Sequence, residues 1–115
     1  MVAVIPLLPD GGIILVEQYR AAIDAWTVEL PAGHMEPGED WLAAGKRELH
    51  EETGYTASDW KYLGEFYPAL GLTNERVLYC QATGLVPGKL RPEANEDIRV
   101  LTTNMTQLLA WLDEG

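Results

Sequence analysis

Two periods of apolar and polar residues alternate along this chain. Val2 to Leu8 is a run of β-branched and aliphatic side chains and predicts a strand. Pro9-Asp10-Gly11-Gly12 follows, where Asp-Gly supplies the positive φ angles of a tight hairpin turn, and Ile13 to Tyr19 returns as a second strand. Trp26 to Leu30 predicts a short strand stopped by Pro31. Around Glu39 the period becomes helical. Leu42, Lys46, Leu49 and Thr53 fall on one stripe, and Gly54 is a C-terminal stop. Trp60 to Tyr67 and Arg76 to Ala82 predict two more strands, with "PALGLTN" as the loop between them. Ile98 to Leu101 predicts a last strand and Met105 to Leu112 an amphipathic helix. Strands on both sides of a central helix indicate a mixed α/β or α+β arrangement. At 115 residues this is expected to be one domain, residues 1–115.

Composition narrows the functional classes. Hydrophobic residues make up 47% and charged residues 23%, an ordinary globular balance. Eighteen acidic and eight basic residues give a net charge of −10, which argues against binding a nucleic-acid backbone. It does not argue against a phosphate-bearing small molecule if a divalent cation bridges the two anions. One cysteine, Cys80, excludes an intramolecular disulfide and fits a reducing compartment. The apolar start "MVAVIPLLP" lacks a basic flank and is too short to span a bilayer. No membrane association and a cytoplasmic location are the default expectations.

The helical segment carries the chemistry. Over residues 39–53, Glu48 and Glu52 are one turn apart and Glu48 and Glu51 three residues apart, so all three can point at one place. Like charges at these spacings cost a bare helix a few tenths of a kcal/mol per pair, and they lie toward the negative end of its dipole. Arg47 can pair with one glutamate but cannot neutralise the set. Two readings fit: a solvated acidic face, or a site for a hard divalent cation such as magnesium or manganese. Spacing alone favours the first.

The flanking residues reverse that. Gly33, five residues, Glu39, seven residues, Arg47-Glu48-Leu49, one residue, Glu51-Glu52, one residue, Gly54-Tyr55 resembles the Nudix box at every defining position. Seven fixed residues at roughly 7% each match by chance at about one start in 10⁸. The resemblance runs from about Val2 to the end. It implies an α+β Nudix fold, a mixed β-sheet sandwiched by helices, and an enzyme that cleaves nucleoside diphosphates linked to another moiety. It also implies that Glu48 and Glu52 are the principal ligands of Mg²⁺ or Mn²⁺, with Glu51 a third ligand or a water-positioning group. The Ala32 carbonyl would complete the metal site, Arg47 would orient the glutamates, and Glu39 would brace the loop–helix junction. Gly33 and Gly54 would permit backbone turns.

Three weaker stretches narrow the subgroup. "VEQYR", "ELPAG" and "YPALGLTNE" resemble ADP-ribose pyrophosphatases and other nucleoside-diphosphate-sugar hydrolases. That likeness implies that Arg20 holds the pyrophosphate and that Glu29 contacts the terminal ribose or a metal-bound water. It also implies a general base on a late loop: Glu96, or Glu93 close by, in "RPEANEDIRV". The substrate expected is ADP-ribose or a related nucleoside diphosphate sugar. The alternatives are a nucleoside triphosphate, a dinucleoside polyphosphate, or a nucleotide-sensing module without catalysis. His34 and His50 occupy variable box positions, and with no His/Cys cluster neither makes a convincing zinc ligand. Cys80 and the four tryptophans read as packing groups.

Set against that family, the chain starts at the first core strand and stops at Gly115, as though abbreviated at both termini. A sheet face left wet costs about 2.5 kcal/mol per 100 Å² of apolar area. The expectation is therefore a homodimer, with Met105 to Trp111 or the exposed sheet face in the contact.

Overall fold

The computed structural model describes residues 1–67, 75–88, 98–104, 106, 107 and 110. Seven strands and one long helix appear among them: β1 (Val2–Pro6), β2 (Ile13–Arg20), β3 (Ala25–Glu29), β4 (Ala32–Gly33), α1 (Trp41–Thr53), β5 (Thr56–Phe66), β6 (Val77–Val86) and β7 (Ile98–Thr103). A 3₁₀ turn over Ala21–Ile23 joins β2 to β3. The strands form two sheets. One is mixed, in the order β4-β1-β6-β5, with β1 parallel to β6 and antiparallel to β4. The other, β3-β2-β7, is antiparallel throughout.

The Asp-Gly turn forms as its residues dictate. Gly11 has φ 88°, the Asp10 carboxylate accepts the Gly12 N–H at 2.8 Å, and the Leu8 N–H donates to the Gly12 carbonyl at 2.8 Å. The arms then part. β1 and β2 are bridged at Leu7–Ile13 and continue into different sheets. The reason lies in their composition. β1 is apolar throughout and β2 is apolar over Ile13–Val16, and burial covers both faces of these segments. Each therefore takes the centre of its own sheet, with partners on both edges.

Helix α1 starts two residues later than the pattern predicts. Asp40 is the N-cap, its Oδ1 accepting the Ala43 N–H at 2.8 Å. Gly54 ends the helix at φ 78°, its N–H donating to the His50 carbonyl at 2.9 Å. Removing the cap with Asp40→Ala should cost about 1 kcal/mol. A lower denaturant midpoint with unchanged slope reports that loss, and an unmoved midpoint refutes the cap.

The buried face of α1 is Ala44, Gly45, Glu48, Leu49 and Thr53. The expected stripe is right at Leu49 and Thr53, but Lys46 is exposed and Leu42 only half-buried. Small residues displace them because the helix lies close on the mixed sheet. A Cβ on Gly45 would stand 3.0 Å from the Trp60 ring and 3.2 Å from the Cys80 sulfur. Val2, Val4, Ala44, Leu49, Cys80 and Ala82 form this core, with Trp41 and Trp60 packed against it. Trp26 differs: it is exposed on β3, with the Arg99 guanidinium 4.2 Å from its ring centroid.

β5 and β6 run longer than their patterns predict, from Thr56 and to Val86 respectively. Their pairing carries polar residues such as Thr56, Asp59 and Thr83 into the ladder, so backbone bonds and not alternation set the limits. The helix expected over 105–112 lies largely outside the described residues. Thr106, Gln107 and Ala110 are helical, and the Gln107 N–H donates to Asn104 Oδ1 at 2.8 Å.

Candidate active site

The box residues meet where edge strand β4 passes the C-terminal half of α1. The Val4 N–H bonds the Pro31 carbonyl at 2.8 Å, which makes Ala3–Ala32 a pair without mutual hydrogen bonds. Both peptide groups of Ala32 are then directed away from β1. Its N–H donates to Glu52 Oε2 at 3.1 Å.

Glu48 lies beside Gly33, buried, with its Oε1 accepting from Arg47 Nη1 at 2.7 Å. A Cβ on Gly33 would stand 2.3 Å from the Glu48 carboxyl carbon. This corrects the turn role expected for Gly33. The residue is in extended β4 and has no positive φ; it is needed because a carboxylate occupies the space of a side chain. Gly54, in contrast, has the left-handed geometry expected of it.

The carboxylates of Glu48 and Glu52 interact across one turn of the helix. Burial pushes the Glu52 carboxyl up to about 7, the charges of Glu48 and Glu29 reinforce the shift, and the Ala32 N–H opposes it. Glu51 is more than half exposed and meets Arg47 Nη1 at 3.4 Å, the same nitrogen that holds Glu48. Helical spacing allows three glutamates to converge, and the arginine bridges two of them.

Arg47 is the hub of the outer ring. Its Nε and Nη2 take both oxygens of Glu39 at 2.7 and 2.9 Å, and Nη2 also donates to the His34 carbonyl at 3.0 Å. Glu39 Oε1 in turn accepts the Glu36 N–H at 2.9 Å, tying the loop to the helix. Arg47 holds the Glu39 carboxyl down to about 2, with the Glu36 N–H assisting, and the arginine's own pKa is raised. Of this ring, the sequence pattern does not single out the His34 carbonyl or the Glu36 N–H. Backbone groups leave no trace in residue type.

The antiparallel sheet supplies the facing wall. Arg20 and Glu29 form a two-point pair, Nε–Oε2 at 3.0 Å and Nη2–Oε1 at 2.6 Å. Hydrogen bonding to Arg20 lowers the Glu29 pKa, and Arg20 is raised. Glu52 raises the pKa of Arg20 and Glu29 raises that of Glu52, which ties this wall electrostatically to the helix carboxylates. Thr27 also reaches Glu29 and was not among the expected site residues; period-two alternation on β3 would have found it.

Glu93 and Glu96 lie outside the described residues, as do Trp111 and all of "PALGLTN". Among the described residues no three His, Cys, Asp or Glu side chains form a ready-made metal cage. His34 and His50 are both exposed. The donor set nevertheless fits a small hard cation. Magnesium takes one or two carboxylates and completes its shell with water and phosphate oxygens, and Glu48 and Glu52 offer that pair beside an outward-facing peptide edge. No helix among the described residues is long and apolar enough to cross a membrane.

Comparisons with known proteins identify the family. The family profile described as NUDIX domain matches residues 1–114. The chain is 33% identical to the ADP-ribose pyrophosphatase of Bacillus subtilis (strain 168), over 97% of this chain and 62% of that protein. It is equally similar, at 33%, to a methanol dehydrogenase activator of Bacillus methanolicus, over 98% of this chain and 62% of that one. The ADP-sugar pyrophosphatase of Mus musculus is 35% identical over 97% of this chain and 56% of its own length. A crystal structure of an ADP compounds hydrolase superposes with a TM-score of 0.84 at 24% identity, covering 97% of this chain and 60% of that one, and shows the shared fold. The chain thus spans about three-fifths of the length of the relatives it matches. With the box residues gathered at one edge of the mixed sheet and a family profile matching almost end to end, the chain belongs to the Nudix family.

Proposed function

We propose that this protein hydrolyses the pyrophosphate bond of ADP-ribose or a related nucleoside diphosphate sugar, giving a nucleoside monophosphate and a sugar phosphate. The observation that carries the proposal is the pairing of buried Glu48 with half-buried Glu52, within electrostatic reach of Arg20. Buried like charges are costly without a cation between them, and an arginine opposite suits an anionic substrate. Two relatives named for pyrophosphatase activity on ADP-ribose and ADP-sugars support the substrate class. The equal identity to an activator protein means that likeness alone does not select the activity, and the assay below tests it.

In this reading Glu48 and Glu52, with the Ala32 carbonyl, hold Mg²⁺ or Mn²⁺, and Glu51 is a third ligand or orients water. When bound, the cation neutralises the pyrophosphate and lowers the pKa of a coordinated water. Arg47 keeps the glutamates in place through Glu39 and Glu48. Arg20 takes phosphate oxygens, and Glu96, or Glu93, accepts the proton of the attacking water. A cytoplasmic homodimer belongs to the same proposal. Ile23, Trp26 and Val28, exposed on or beside edge strand β3, offer apolar surface for it.

The test is a panel of nucleotides assayed for monophosphate release with magnesium and with a chelator. Turnover of nucleoside diphosphate sugars that vanishes on chelation is expected. Turnover of triphosphates or dinucleoside polyphosphates alone moves the substrate class. Binding with no turnover of any nucleotide makes the chain a sensor. The base assignment has its own test. Glu96→Gln should lower kcat by about 10²–10⁴ with metal affinity nearly unchanged. A large loss in Glu93→Gln and none in Glu96→Gln transfers the role to Glu93.

A further inference from the structure

Arg20 is placed oddly for a residue that must meet a phosphate. It pairs with Ala25 across β2 and β3, yet its guanidinium bonds Glu29, four residues further along β3. At strand spacing that separation is about 13 Å. The arginine is therefore laid back along the sheet, over the Gln18–Thr27 pair, toward Glu52. A long, half-exposed side chain held this way loses rotamer freedom, so something must fix it.

Thr27 stands at the midpoint. Its hydroxyl lies 2.5 Å from Glu29 Oε2 and 3.4 Å from the Gln18 carbonyl, and its single proton serves the nearer oxygen. Glu29 Oε2 thus accepts from both Thr27 and Arg20 Nε, while Oε1 accepts from Arg20 Nη2. Both oxygens of Glu29 are engaged within the protein, an arrangement that suits a holder of Arg20 better than a ligand for ribose.

We propose that Thr27 and Glu29 form a latch in which the threonine hydroxyl orients the carboxylate and the carboxylate holds the Arg20 guanidinium along the sheet. Thr27 is then a positioning residue, acting through Glu29 and touching no substrate. The latch rests on the site reading above only for its purpose, which is to present Arg20 to pyrophosphate oxygens. Its geometry stands without it. Part of the guanidinium's edge faces away from Glu29, because Nη1 takes no part in the pair.

The experiment measures two quantities on the full chain. One is the solvent-exchange rate of the Arg20 Nε–H by NMR without metal or nucleotide. The other is KM and kcat for a nucleoside diphosphate sugar with magnesium. Thr27→Val keeps the β-branched shape and removes the donor. It should speed Arg20 Nε–H exchange about 2- to 10-fold and raise KM by a similar factor, with kcat within about twofold. Thr27→Ser should restore both. Adding Thr27→Val to Glu29→Ala, which removes both acceptor oxygens, should change nothing further, since the hydroxyl acts only through that carboxylate. Unchanged exchange in Thr27→Val, or no recovery in Thr27→Ser, overturns the latch. If exchange follows the expected pattern while KM for every nucleotide stays fixed, the latch stands and Arg20 leaves the proposed phosphate site.

Discussion

Glu52→Gln is expected to lower kcat/KM by about 10²–10⁴ while the protein stays folded, because it deletes a charge that the proposed cation needs. Glutamine can still accept the Ala32 N–H, so the β4–α1 contact survives. The same substitution should alter stability in the opposite direction. Burial raises the Glu52 pKa to about 7 in the folded state, so between about 4.5 and 7 the native protein binds more protons than the unfolded chain. Metal-free wild type should therefore lose stability as pH rises through that window. Glu52→Gln should flatten that slope and be at least as stable as wild type at pH 8. Chemical denaturation at pH 5 and pH 8 in a chelator measures it. A mutant with wild-type turnover at saturating magnesium, or with the wild-type pH slope, refutes the assignment. Glu39 has the opposite linkage: held near 2 by Arg47, it contributes stability above about 4.5 that is lost as pH falls toward 2.

Gly33→Ala should be nearly as damaging to activity, for a steric reason. The new methyl would stand 2.3 Å from the Glu48 carboxyl carbon, and Glu48 cannot yield freely because Arg47 holds its Oε1 at 2.7 Å. Overpacking of this kind costs about 1–3 kcal/mol. Displacing the carboxylate should also lower kcat/KM by at least about 10-fold. The double variant Gly33→Ala/Glu48→Ala separates the two effects. Truncating Glu48 makes room for the methyl, so the clash penalty should disappear while activity stays lost. If the single variant is as stable and active as wild type, close approach is not what requires glycine. If the double variant is destabilised by the sum of the two single changes, Glu48 and Gly33 are not in contact.

The box, the order of the strands around one helix and the pairing of Arg47 with glutamates were legible in the sequence because each depends on local spacing. Helical periodicity places Glu48 and Glu52 on one side of α1 whatever surrounds them, and Asp10-Gly11 turns the chain wherever it occurs. Long-range packing decided the rest. β1 and β2 are joined by a tight turn yet enter different sheets, since β1 and the Ile13–Val16 half of β2 are apolar on both faces and each demands a central place. Lys46 left the buried stripe, and Ala44 and Gly45 entered it, because Trp60 and Cys80 from the mixed sheet lie against the helix. Gly33 is required by a side chain fifteen positions later, and no local rule reports such a contact. Glu51 is left exposed on an arginine that four carboxylates and the His34 carbonyl surround. The sequence by itself determined which charges share the helix. Only the tertiary structure decided how far each of them is buried, because desolvation and close approach are properties of what packs against a residue and not of its place in the chain.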